Sequence, residues 1–382
     1  MRKRSRGRVG FALLLVGALL LALALALALA FAPLARRARA AQFLQRLSPQ
    51  SAIASKPTSD ASVVTRNLTI AGEHGPIRAR LYFRSDRPRG AGIVVAHGVH
   101  YRGIDEARLT PFARALAEGG LVVLTPELAE LADYRITPAS VSVIRSSVAY
   151  LAADHVHVEG DRVGLLGFSF AGGLSLVAAE APETARLLSF VTSVGGHHDL
   201  RRVLRFLIHD EIETPSGIVR SPANEYGLVV LVYGNLEHFV PAVDLSAMRS
   251  AFKAWLQEDR PRARTFAKLG TTPEASELWQ LLESQRLKTL APRLDALLDN
   301  QREQLALLSA AGHLQGLGLP VYLLHGSHDT VIPPSETDSA ALELNATEHE
   351  ALVSPLIEHV ELTGRASYSD ELALVSFMAH ML

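Results

Sequence analysis

Short strand-like runs, continuously apolar in Ile93–Ala96 and Leu121–Leu124, alternate with segments of helical spacing and constrain this chain most. Ile93–Ala96, Leu121–Leu124, Arg162–Leu166 and Leu188–Val194 are each bounded by turn-formers or by a helical stretch. A strand apolar on both faces is buried on both faces, which requires helices above and below the sheet. Leu109–Glu118, Pro138–Ala152 and Ala171–Ala181 supply those helices, and Gly119-Gly120 stops the first of them. Ahead of the alternation, Asn67–Ala71 and Ile77–Phe83 flank Glu73-His74-Gly75 and predict a hairpin. The fold class is therefore α/β, with a mostly parallel sheet and helices on both faces.

The alternation is interrupted once. From Leu200 to about Gly318 the pattern is helical, clearest over Leu245–Gln257, Glu274–Leu287 and Leu290–Leu308. Strand and helix then resume with Val321–Leu324, Ser335–Leu344, His349–Ser354 and Asp370–Met381. This predicts a core in two parts, 64–200 and 319–382, with a helical cap, 201–318, inserted between them.

The first residues stand apart. Arg2, Lys3, Arg4, Arg6 and Arg8 precede the uncharged stretch Val9–Ala35, mostly Leu and Ala. About 20 apolar residues cross a bilayer as a helix, and a secretory signal has a shorter apolar region. Residues 1–40 are therefore expected to be a basic flank and uncleaved transmembrane anchor, and 41–63 a linker. Ala38-Arg39-Ala40 offers a competing cleavage site, which would release a secreted form. Five basic residues before the span against three after it place the N-terminus in the cytoplasm and the domain across the membrane, periplasmic in a cell with two membranes.

A net charge of -1 gives no reason to expect a nucleic-acid partner, and the absence of Cys excludes disulfides and thiolate nucleophiles. Chemistry has to come from elsewhere. Gly167-Phe168-Ser169-Phe170-Ala171 follows a buried strand directly and opens a helix. A strand-to-helix turn of this form holds a Ser hydroxyl proud of the sheet edge, with small residues two before and two after it. Such a Ser needs a His to accept its proton and a carboxylate to orient the His. Asp329 lies in the loop after Val321–Leu324, and His359 is the only His between the last strand and the last helix. Ser169, Asp329 and His359 thus fall in the order Ser, acid, base, each just past a strand end. Asp199, in His197-His198-Asp199, also follows a strand and is an alternative acid.

The backbone N–H of Phe170 is one expected oxyanion donor. Val99, in His97-Gly98-Val99-His100, is the other, with Gly98 its competitor. His97 reads as a structural hydrogen-bonder, and His100 and Tyr101 as bordering the substrate pocket. His97, His100, His197, His198 and Asp199 lack metal-ligand spacing, so a metal is not expected there.

Together, His97-Gly98, the Ser169 elbow, Gly326-x-x-Asp329 with Ile332-Pro333, and His359 resemble the α/β-hydrolase superfamily, in particular its dienelactone-hydrolase-like and esterase-like bacterial members. The resemblance covers roughly 67–200 and 319–382. It implies an eight-stranded mostly parallel sheet, a covalent acyl-enzyme and no cofactor. Dienelactone hydrolases typically use Cys, which this chain lacks. The expected activity is carboxylic ester or thioester hydrolysis on a small acyl substrate, lipid-derived if the membrane location counts. Peptidase or acyltransferase chemistry on the same triad, or a non-catalytic tethered binding protein, are the alternatives. The cap, with apolar stretches such as Leu228–Val232, is expected to roof the acyl pocket.

Overall fold

The computed structural model describes residues 33–47, 62–214, 217–345, 347–359, 361–362 and 367–381. Its frame is one eight-stranded sheet. The strands are β1 (Val63–Gly72), β2 (Gly75–Arg84), β3 (Gly92–Ala96), β4 (Val122–Pro126), β5 (Val163–Phe168), β6 (Leu188–Val194), β7 (Val321–Gly326) and β8 (His349–Ser354). Their order across the sheet is β1-β2-β4-β3-β5-β6-β7-β8. β2 is antiparallel to both its neighbours, and every other pairing is parallel. The hairpin predicted around Glu73-His74 forms, with Gly72 opposite Gly75.

The longer helices are α1 (33–47), α2 (Leu109–Glu118), α3 (Pro138–Ala152), α4 (Phe170–Glu180), α5 (Leu200–His209), α6 (Glu225–Gly234), α7 (Ala242–Leu256), α8 (Arg260–Ala267), α9 (Pro273–Glu283), α10 (Ala291–Asn300), α11 (Ser335–Glu343) and α12 (Tyr368–Met378). Alternation along the strands sorts them into two layers. In β3, Val94 and Ala96 pack with α3, α4 and the cap, whereas Ile93 and Val95 pack with α1, α2 and α12. Strand order, layering and insertion are those of the α/β-hydrolase fold.

The cap enters through α5 and holds α6 to α10. It is not wholly helical, because Glu211–Thr214 and Gly217–Arg220 pair as an antiparallel hairpin. Leu228–Val232 do not roof a pocket; they are buried in the cap's own packing against the core. A buried carboxylate joins the two parts of the core at the cap's entrance. Glu336 of α11 accepts the backbone N–H groups of His198 and Asp199 at 2.9 Å each, and Arg202 of α5 donates to it at 2.6 Å. A carboxylate at a helix N-terminus is favoured by the free N–H groups and the helix dipole.

The span expected over Val9–Ala35 lies outside the described residues except for its last three. Among the described residues, no helix is long and apolar enough to cross a membrane. The linker expected from residue 41 differs from what is seen. Residues 41–47 continue α1, which docks on the domain because Ala40 and Phe43 are buried and Arg46 pairs with Glu118 at 3.2 Å.

One carboxylate is poorly housed. Glu180 ends α4, where the helix dipole disfavours negative charge, and its Oε1 is buried with no hydrogen-bond partner. Burial pushes its carboxyl up to about 7, Arg145 opposes this, and Glu343 adds to it. A raised folded-state value means the proton is held more tightly in the fold. Stability is then complete below the ordinary Glu range and is lost as pH rises towards 7. Glu180→Gln should remove that loss, raising stability at pH 8 by about 1–2 kcal/mol after discounting for solvent screening of a half-buried group. At pH 4 it should change nothing. Urea denaturation at the two pH values checks both halves.

Candidate active site

Strand order decides where a site can form. The chain leaves β3 for β4 on one side, and β5 pairs with β3 on the other, so a crevice opens beyond the carboxyl ends of β3 and β5. Ala96 is opposite Gly167, which puts Gly98 beside Ser169. A Cβ on Gly98 would lie 3.0 Å from Ser169 Cβ and 3.2 Å from the Phe168 carbonyl oxygen, so a side chain here would crowd the turn.

Ser169 occupies the turn between β5 and α4 with φ 53° and ψ -133°, a region non-glycine residues rarely enter. Its N–H donates to the Val194 carbonyl at 2.8 Å, and its own carbonyl accepts the Gly172 N–H at 2.7 Å. Strand and helix backbones approach so closely that a Cβ on Gly167 would overlap the Ala171 carbonyl. Ala171 is fully buried, so one methyl group is accommodated there. The turn is over-determined by these contacts, which lets its strain persist.

Asp329 sits three residues beyond β7, buried at 4 % exposure. Its Oδ1 accepts the Val331 and Ile332 N–H groups at 2.8 and 3.0 Å, and its Oδ2 accepts His359 Nδ1–H at 2.7 Å. Burial alone would push this carboxyl up. Hydrogen bonds from His325 and His359 outweigh it and hold the group well below the usual carboxylate range. Asp329 therefore stays ionised across the neutral range. His359 turns in a left-handed conformation, φ 52°, just past the two-residue strand Ile357–Glu358.

His325 was not singled out from the sequence. It is fully buried, accepts from Thr337 Oγ1 at 2.8 Å, donates from Nε2 to the Ile332 carbonyl at 2.9 Å, and has that nitrogen 3.4 Å from Asp329 Oδ2. It braces the loop that carries Asp329. Its one visible signal was a His at a buried strand end.

Asp199, the alternative acid, is occupied elsewhere. It caps α5 by accepting the Arg202 N–H at 3.1 Å, and His359 makes its hydrogen bond to Asp329. His328 contacts Ser327 on the exposed side of the loop.

The loop after β3 is pinned from two directions. His97 donates from Nδ1 to the Gly98 carbonyl at 2.8 Å, while its Nε2 accepts the Leu128 N–H at 3.0 Å. Burial pushes this imidazole down, consistent with one ring nitrogen donating and the other accepting. Tyr226 of the cap donates to the Val99 carbonyl at 3.3 Å. In a trans peptide the C=O and the following N–H point opposite ways. With the Gly98 carbonyl turned to His97, the Val99 N–H faces away from that ring. Phe170, the first residue of α4, has no intrahelical partner for its N–H.

One cavity of about 760 Å³ contains Ser169, His359, Val99 and Phe170, with His100 and Tyr101 on its border. His100 stacks on Tyr101 at 4.8 Å, and burial pushes its imidazole down. His197 and His198 point elsewhere, to the Leu308 carbonyl and Glu343. Among the described residues, no group of three or more His, Asp and Glu is placed to hold a metal ion.

No protein-family model matches the chain, and none of the curated proteins does. Among solved structures, it is similar to an esterase from Pyrobaculum calidifontis, at 17 % identity over 91 % of both chains with a TM-score of 0.45. It is similar to brefeldin A esterase, a bacterial homologue of human hormone-sensitive lipase, at 15 % identity over 90 % of this chain and 80 % of that one, TM-score 0.46. It is also similar to a Pyrococcus horikoshii acylaminoacyl peptidase at 11 % identity over 84 % of this chain, TM-score 0.49, but spans only 41 % of that longer protein. At these values the fold rests on the strand order and layering of the chain itself.

Proposed function

We propose that the protein is a serine hydrolase that cleaves a carboxylic ester or thioester through a covalent acyl-enzyme. The observation that carries this reading is the 2.7 Å bond between a buried, ionised Asp329 and His359, on the same cavity as the strained Ser169.

Each part has a task. Asp329 holds the proton on His359 Nδ1, leaving Nε2 free to accept the Ser169 hydroxyl proton. Ser169 Oγ attacks the substrate carbonyl carbon, and the developing oxyanion is met by the Phe170 and Val99 N–H groups. α4 adds the positive end of its dipole beneath that oxygen. The tetrahedral intermediate collapses as His359 returns the proton to the leaving alcohol or thiol. Water, deprotonated by His359, then releases the acid and restores Ser169.

A fluorophosphonate that reacts with activated Ser tests the reading. One adduct on Ser169, located by peptide mass, is expected, with none in Ser169→Ala. A folded protein that never acquires the adduct would overturn it.

A further inference from the structure

The cavity extends well beyond the groups that perform the reaction. It is also lined by α1 and by residues in and just after α12, which pack on one face of the sheet. α1 contributes Phe43, Leu44 and Leu47, with Arg46, which pairs with Glu118, and the segment 374–381 contributes Leu374, Met378 and Met381. Two of the chain's four Met residues therefore stand on this wall, where unbranched, polarisable side chains conform to flexible apolar ligands.

The wall is tied to the nucleophile by a ladder of rings. Phe43 meets Phe112 edge-on at 5.3 Å, and Phe112 meets Phe168 edge-on at 5.0 Å, next to Ser169 in the chain. Phe43 is buried, while Leu44 and Leu47 are half-buried with their remaining surface available to the cavity. The cap contributes Leu256 and adds polar groups. It supplies Tyr226, Gln257 and Glu258, and the Tyr134 ring lies 6.4 Å from that of Tyr226. The Tyr134 hydroxyl is buried and has no hydrogen-bond partner among the described residues. A space apolar on one side, with an unsatisfied hydroxyl on another, suits a molecule with an apolar tail and a polar remainder.

We infer that α1 and α12 form the acyl-chain site, and that substrates carry a medium or long acyl chain lying between them. This rests on the serine-hydrolase reading. The segment that fixes chain length is then α1, the helix that begins within the last residues of the apolar stretch Val9–Ala35, rather than the cap.

The test uses the full chain in detergent and p-nitrophenyl esters from acetate to laurate. Leu47→Trp fills the cavity and should lower kcat/KM for laurate relative to acetate on the order of tenfold or more. Phe43→Ala opens it and should move the optimum to longer chains. Leu34→Ser, on the exposed side of α1, should keep the wild-type profile. A purely structural role for α1 would lower all esters together, and parallel profiles in Leu47→Trp and Phe43→Ala overturn the inference. So does a shift that follows the length of the alcohol instead of the acyl group. Binding of cis-parinaric acid in Ser169→Ala separates the two readings. Weaker binding on adding Leu47→Trp upholds the acyl site even if no ester is cleaved. Undiminished binding, or none at all in Ser169→Ala, rejects it whatever the hydrolysis result.

Discussion

Ser169→Ala should lower kcat for ester hydrolysis by about a million-fold, with the fold intact and KM little changed. The methyl group fits wherever the hydroxymethyl did, so the turn at φ 53° and the packing of α4 behind it are retained. The oxyanion donors and the cavity also remain. They should support a residual rate about a thousand-fold or more above the uncatalysed one. Single-turnover kinetics on an activated ester checks both numbers. A variant retaining a tenth of wild-type activity would mean that Ser169 is not the nucleophile.

The second large effect separates the two acids. Asp329→Asn should lower kcat about ten-thousand-fold. Asn keeps an oxygen for the Val331 and Ile332 N–H groups but offers its amide to His359. The ring must then accept at Nδ1 and carry its proton on Nε2, where it cannot take one from Ser169. Asp199→Asn should leave kcat within a few-fold of wild type, because Asn caps a helix about as well as Asp. Steady-state kinetics on the pair decides the matter; the reverse ranking would give the acid's role to Asp199.

What the sequence disclosed follows from how local each signal is. β3, β5 and β7 are buried on both faces, so their apolar runs end where their loops begin, and active-site residues of such sheets sit just past those ends. Ser169, Asp329 and His359 stood out as candidates because each obeys that rule. The hairpin at Glu211–Thr214 and Gly217–Arg220 could not, since four-residue strands leave too short a pattern to stand out from helix. His325 and Tyr226 act through partners 7 and 127 residues away in sequence, a relation no local pattern contains. α1 was obscured by its neighbour. The residues 41–47 resemble a tether until Phe112 and Glu118 are brought alongside by the fold. The expectation that the cap roofs an acyl pocket came from the apolarity of Leu228–Val232, which the cap uses for its own cohesion.

The insertion of the cap between β6 and β7 has a consequence for the order of synthesis. A chain made from its N-terminus presents β5, the Ser169 turn and α4 well before Asp329 and His359 exist. Glu336, which closes the entrance to α5, also arrives late. The nascent protein thus carries a poised serine with no base to activate it. On the proposed reading, Asp329 and His359 join Ser169 only once the segment from Val321 onward has been laid against the sheet.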